Sequence, residues 1–173
     1  KKYNIPDDLI QAFLKSMKAD LIKNGSYNKS EIEEYIYGSA EAVGLMCLRV
    51  FTEGDNKRFD DLKYPAMKLG SAFQKVNFLR DMESDFKERG RTYFPAVNFN
   101  HFTTDNKSDI EKEINNDFTE ALAGIAKLPL NARFGVYLAY SYYLALLNKI
   151  NKTPASALLK KRIRISNYQK AFI

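Results

Sequence analysis

The sequence predicts an all-α protein, and three observations carry that reading. Apolar residues recur at helical spacing in five separate stretches, the breaks between them hold Gly, Pro and Asn, and strand-type alternation is weak throughout. The chain has 173 residues, 45% of them hydrophobic. That is enough for one domain, 1–173, in which several long helices share a core.

Pro6, Asp7 and Asp8 form a helix start, and Leu9, Ile10, Phe13, Leu14, Met17 and Leu21 continue at helical spacing. Asn24 and Gly25 end this first helix. Ser30 with Glu33 reads as a capping box, opening a second helix through Ile32, Tyr35, Ile36, Ala40, Val43, Cys47 and Val50. "TEGDNKRFDD" reads as a polar break. A third helix is expected to start near residues 61–64, with Pro65 in its first turn, and to run through Leu69, Phe73, Val76, Leu79 and Met82. Residues 89–106 read as irregular. Two further helices are expected at 108–127 and 130–150, followed by a short basic tail.

Composition excludes several classes. One cysteine, Cys47, and one histidine, His101, rule out an internal disulfide and argue against a Cys/His zinc site. No stretch approaches the ~18 apolar residues of a membrane span, and the start, "KKYNIPDD", has no apolar signal region. A cytoplasmic location is therefore expected, with contact at a membrane periphery left open. The start also lacks Met, so a processed or longer parent is expected. A net charge of +6, from 27 basic and 21 acidic side chains, suits an anionic ligand or membrane surface. No RNA-binding signature accompanies it, and nucleic acid is not an expected partner.

The stretch richest in chemistry is "FLRDMESDFKERGRTYFP", residues 78–95. On one helix, Gln74, Asn77, Asp81 and Asp85 are spaced by three, four and four residues and share one face. Two carboxylates one turn apart repel unless a cation or base compensates. Mg²⁺ prefers oxygen ligands and bridges carboxylates to phosphates, so Asp81 and Asp85 with the Asn77 amide are metal-ligand candidates. Arg80, Arg89 and Arg91 could reach an anion. A solvated, mixed-charge helix end has the same spacing, and both readings stand on these residues alone. In "YIYGSAEAVGLM", Tyr37, Ala40 and Gly44 form a stripe of low bulk. Glycine inside a helix is costly, which points to close helix packing or to room for an elongated ligand. Tyr137, Tyr140, Tyr142 and Tyr143 read mainly as core, and Lys160, Lys161, Arg162 and Arg164 as a solvated or anion-binding run.

Taken in order, these segments resemble the squalene/phytoene synthase family of head-to-head prenyl synthases. "LGSAFQKVNFLRDMESDFKERGRTYFP" is similar to that family's second aspartate-rich motif, with Gln74, Asn77, Arg80, Asp81, Asp85, Arg91, Tyr93 and Pro95 matching. Tyr37, Ala40, Val43 and Gly44 match its small-residue helix, Asp20 fits an acidic position, and "LPLNARFGVYLAYSYY" and "KKRIRIS" resemble its last helices. The resemblance implies an all-α isoprenoid-synthase-like bundle, Mg²⁺, and two prenyl diphosphates joined through a cyclopropyl diphosphate in isoprenoid and carotenoid biosynthesis. NADPH is implied only where the product is reduced to squalene. Tyr37, Arg80, Asp81 and Asp85 take the catalytic roles. Gln74, Asn77, Arg91, Tyr93 and Arg162 bind substrate, and Asn77, Asp81 and Asp85 bind metal.

The family's first aspartate-rich motif has no counterpart upstream in this chain. The resemblance therefore implies the C-terminal portion of the fold, lacking the N-terminal helices. The chain alone is expected to be inactive or weak, to need an N-terminal segment or partner chain, or to self-associate. A single-substrate terpene synthase and a noncatalytic helical interaction protein are the alternatives. Glu41 departs from the pattern, standing where a small residue is expected.

Overall fold

The computed structural model describes residues 2–95 and 97–166. Among them the helices are α1 Asp7–Ile22, α2 Lys29–Ile36, α3 Ala42–Phe51, α4 Asn56–Arg89, α5 Thr104–Ile125, α6 Leu130–Asn151 and the short α7 Ala155–Leu158. The all-α expectation holds. Ser26 and Thr92 form an isolated β-bridge, which ties the loop after α1 to the loop after α4.

Three helix starts differ from the sequence reading. The capping box of α2 is Asn28 with Glu31, not Ser30 with Glu33. Asn28 Oδ1 accepts from Glu31 N and Glu31 Oε2 accepts from Asn28 N, each at 2.9 Å. α4 begins at Asn56 because Asp55 Oδ1 accepts from Arg58 N at 3.1 Å, and Phe59 and Leu62 already bury an apolar face. Pro65 therefore lies inside the helix, where its ring packs against Gly124 of α5. α5 starts at Thr104 behind a Thr103–Asn106 capping box.

Between α2 and α3, Tyr37–Glu41 forms a π-helical turn, in which Ala42 N donates to Tyr37 O five residues back. Beside this turn the Tyr35 carbonyl accepts from the Ser39 hydroxyl at 2.6 Å and the Ser16 hydroxyl at 3.5 Å.

The main core joins α4, α5, α6, α7 and the segment after α7, with Val76, Leu79, Ile114, Leu147 and Ile150 fully buried. A second cluster packs α1 and α3 on the start of α4 through Leu9, Leu45, Leu48, Phe59 and Leu62. A third stacks Tyr27, Tyr35, Phe78 and Tyr93 beside the C-terminal end of α4. α6 leaves one apolar face uncovered: Leu130 is 79% and Phe134 76% exposed, with Tyr137 and Leu138 beside them. No helix among the described residues is long and apolar enough to cross a membrane.

Candidate functional site

α4 is the scaffold of the site. It ends where Gly90 adopts a left-handed φ of 61°. Gly90 N donates to Phe86 O at 2.8 Å, and Arg91 N to Asp85 O at 3.1 Å. The Gly90 bond is that of a left-handed helix cap, which glycine permits without strain, and the Arg91 bond closes a wider loop over it. It turns the chain just over one helical turn after Asp85.

Gln74, Asn77, Asp81 and Asp85 lie half-buried along one side of α4. Gln74 also lines an apolar cavity of about 590 Å³ walled by α3, α4, α5 and α6, among whose residues are Val43, Leu69, Phe73, Ile125 and Val136. That volume is ordinary for a small-molecule site, about 300–1,000 Å³. One helix thus carries an apolar chamber and, about two to three turns beyond Gln74, an acidic pair. Gln74 and Asn77 join the two. The small residues of the sequence serve both readings made of them. Gly44 and Ala40 line the cavity, while Gly38 lies so close to α1 that a side chain would overlap Ser16 and the Ala12 carbonyl.

Asp81 is held by two guanidiniums. Arg80 donates through Nε to Oδ1 at 3.0 Å and through Nη2 to Oδ2 at 2.6 Å. Arg162 approaches the same oxygens at 2.7 Å and 3.4 Å. Asp85 has no basic group at ion-pair distance among the described residues. Burial, reinforced by the Asp81 charge, pushes its carboxyl above the usual range, and Tyr93, Arg91 and Arg89 oppose that rise. The Asn77 Oδ1 is buried and has no hydrogen-bond partner. A buried acceptor of this kind calls for a donor or a cation.

These three residues fit a Mg²⁺ site. No cluster of three His, Cys, Asp or Glu side chains occurs among the described residues. Mg²⁺, however, commonly takes one or two carboxylates and completes its shell with water and substrate phosphates. Two carboxylates and an orphaned amide oxygen on one helix face meet that requirement.

The other candidate residues fall elsewhere. Arg91 is 5% exposed, and its donors are already occupied. Nη1 donates to Asp20 Oδ1 at 2.9 Å, Nη2 to the carbonyls of Asp20 and Lys23 at 2.8 Å and 2.7 Å, and Nε to Lys23 at 3.0 Å. Arg91, expected as an anion clamp, is engaged here with the end of α1, towards which the Gly90 turn directs it. Asp20 also accepts from the Tyr35 hydroxyl at 3.0 Å. Tyr93 is buried in the aromatic stack, its ring 4.0 Å from that of Phe78. Burial raises its hydroxyl to about 12, so it borders Asp85 as a neutral phenol. Tyr37, expected to be catalytic, packs instead with the cluster of α1 and α3. Burial, then the charges of Asp8 and Glu41, raise its hydroxyl pKa.

A buried charge network escaped the sequence reading. Asp117 of α5, 2% exposed, accepts from Lys68 Nζ at 2.9 Å, Lys75 Nζ at 2.6 Å and Ser71 Oγ at 3.3 Å. The available signal was Lys68, Ser71 and Lys75 recurring at three and four residues on one face of α4. Glu41 belongs to this neighbourhood. Burial pushes its carboxyl up, Lys75 and Lys68 oppose the rise, and Asp117 reinforces it. A carboxyl raised above its unfolded value binds more protons when folded, so stability falls as pH climbs from the unfolded value towards the folded one. Glu41→Gln is expected to raise Tm at neutral pH, and the gain should vanish below pH ~4, beneath the unfolded glutamate value. Thermal melts across pH check this, and a gain that persisted in acid would contradict it.

The squalene/phytoene synthase family model matches residues 1–169. The chain is 33% identical over 169 residues to a chloroplastic phytoene synthase from an Oncidium hybrid cultivar, covering 85% of this chain and 40% of that protein. It is 25% identical to a 4,4'-diapophytoene synthase of Staphylococcus haemolyticus, covering 79% of this chain and 52% of the relative. Among solved structures, a ligand-bound dehydrosqualene synthase superposes with a TM-score of 0.76 at 23% identity, over 97% of this chain and 62% of its own. A squalene synthase of Alicyclobacillus acidocaldarius gives 0.72 at 19% identity, over 88% and 63%. The chain thus spans about half or less of the length of these curated relatives. The family model spans nearly the whole chain, and this chain belongs to the squalene/phytoene synthases.

Proposed function

We propose that this chain supplies one diphosphate half-site and the hydrocarbon chamber of a phytoene- or squalene-type prenyltransferase. The observation that carries this reading is the continuity of Asn77, Asp81 and Asp85 with Gln74 at the wall of the apolar cavity. A prenyl diphosphate has an anionic head and a long apolar tail, and α4 offers a place for each along one face.

Asp81 and Asp85 would hold Mg²⁺ with Asn77 Oδ1 beside them, and the cation would neutralise charge on a departing diphosphate. Arg80 and Arg162, already at Asp81, orient the anionic head through forked N–H donors. Gln74 offers its amide at the mouth of the chamber. Leu69, Phe73 and Val136 exclude water that would quench an allylic cation. Tyr142 and Tyr143, near Arg80, present aromatic rings at the same end. The proposed reaction is head-to-head condensation of two prenyl diphosphates through a cyclopropyl diphosphate, with NADPH entering only where the product is reduced to squalene. Tyr37 and Arg91 are left out of the chemistry, and Tyr93 serves as a neighbour of Asp85.

A full substrate clamp needs a second acidic motif, and this chain has none upstream of α4. Its activity alone is therefore weak or absent. The uncovered Leu130, Phe134, Tyr137 and Leu138 face of α6 suits the further helices by which the longer relatives exceed this chain, carried by a preceding segment or a partner chain. Without them the same face favours self-association. Exposed Lys160 and Lys161 suit contact with an anionic membrane surface, where a hydrocarbon product would be delivered.

Calorimetry with a nonhydrolysable farnesyl or geranylgeranyl diphosphate analogue tests the half-site. Binding is expected to require Mg²⁺ and to weaken at least about tenfold in Asp81→Asn with Asp85→Asn, since charged contacts contribute about 1.5–3 kcal/mol each. Equal binding with and without Mg²⁺, or no effect of the double substitution in a folded protein, would defeat the proposal.

A further inference from the structure

After a turn at 159–161, residues 162–166 lie on the main core as an extended strap. Ile163 and Ile165 are buried at 4% and 6%, while Arg162 and Arg164 between and beside them face outward. This in-and-out alternation is that of an extended chain. Lys149 Nζ fastens the strap by donating to the Arg164 carbonyl at 2.6 Å. Of its outward side chains, Arg162 reaches back to α4, 81 residues away in sequence, and pairs with Asp81.

Asp81 is thereby well paired. An ionised carboxylate offers about four lone-pair sites, and Arg80 and Arg162 bring three hydrogen bonds to them, with Arg162 Nε at ion-pair distance besides. The two arginines are not equivalent. Arg80 stands next to Asp81 on the same helix, is 21% exposed and lies near Tyr142 and Tyr143. Arg162 comes from the strap, and its side chain is 44% exposed. A pair exposed to that degree contributes little net energy, so Arg162 is the partner that can leave.

We propose that Arg162 is an exchangeable counter-ion: it occupies Asp81 in the ligand-free protein and moves to the diphosphate when Asp81 turns to a divalent cation. This rests on the diphosphate half-site proposed above and adds an order to its filling. Without an anion to receive Arg162, cation binding must displace it from Asp81. With diphosphate present, the displaced guanidinium gains a better partner. The strap then favours cation and diphosphate together over cation alone.

The test compares the chain with Arg162→Gln, Arg162→Lys and Arg164→Gln. Mn²⁺ binding is read by electron paramagnetic resonance, first alone and then with inorganic pyrophosphate, and circular dichroism checks folding. Arg162→Gln is expected to bind Mn²⁺ alone about two- to five-fold more tightly, the range of an exposed ion pair. It should bind pyrophosphate with Mn²⁺ about tenfold more weakly. Arg162→Lys should fall between, and Arg164→Gln should leave Mn²⁺ affinity within twofold. Opposite signs in the two arms are the signature of exchange, since a merely structural role would move both the same way. Unchanged or weaker Mn²⁺ binding by a folded Arg162→Gln, with Asp81-dependent pyrophosphate binding intact, would overturn the exchange and leave the half-site standing. Failure of the unaltered chain to bind pyrophosphate with Mn²⁺ would overturn both.

Discussion

Asp117→Ala is expected to destabilise the protein by about 3 kcal/mol or more, the usual loss when one member of a buried ion pair is removed. The pair itself need not stabilise the fold, because desolvating Asp117 and Lys75 offsets most of their attraction. The asymmetry lies in what remains. Asp117 is 3% exposed and Lys75 13% exposed as side chains. Without the carboxylate, Lys75 keeps, among the described residues, Glu113 as its ion-pair partner, at 2.5 Å but 61% exposed, and Ser71 loses its acceptor at the seam between α4 and α5. Asp117→Asn keeps an acceptor oxygen and should lose less. Urea unfolding of both variants measures the difference. A loss below about 1 kcal/mol for the alanine variant, the range of an exposed pair, would mean that water already reaches Lys75.

That network also shows where reading the sequence stops. The helical class, the long helices and the stripe of Gln74, Asn77, Asp81 and Asp85 follow from spacing, because a helix fixes which of its own residues share a face. The partners of those residues are not fixed by spacing. Arg91 reads as an anion clamp until the Gly90 turn points it at Asp20, 71 residues away. Tyr37 reads as a site residue, whereas the tertiary packing sets it with the cluster of α1 and α3. Asp117 reads as one more polar position on α5 until α5 is laid on Lys68 and Lys75. The start of α4 lies earlier than its apolar spacing predicts for a local reason: Asp55 caps a polar stretch whose Phe59 and Leu62 are sparse but already buried.

Gly70→Ala is expected to lower stability by about 1–2 kcal/mol, and Gly70→Val by about 3 kcal/mol, set by overpacking against backbone. Two effects of opposite sign compete here. Alanine is preferred to glycine inside a helix by roughly 0.5–1 kcal/mol. Against that, a Cβ at Gly70 would sit 2.7 Å from the Ala40 carbonyl oxygen, 2.9 Å from its carbon and 3.2 Å from Glu41 Cα. All three belong to the backbone of the π turn, so no rotamer change relieves them, and overpacking of this kind costs about 1–3 kcal/mol. Gly135 supplies the contrast. It also lines the cavity, but from α6, and a Cβ there meets nothing within 4 Å. Gly135→Ala should therefore gain the helical preference alone and raise Tm. The two substitutions are chemically identical, so opposite signs would isolate the contact between α4 and the π turn as the cause. The functional effect should follow the same contact. Gly70 lies one turn before Gln74, and parting α4 from the π turn would shift the chamber wall relative to Asn77 and Asp81. Gly70→Ala should weaken Mg²⁺-dependent binding of the diphosphate analogue, whereas Gly135→Ala should leave the polar end untouched. A rise in Tm for both variants would mean that the π turn yields easily and that Gly70 is not kept small by packing.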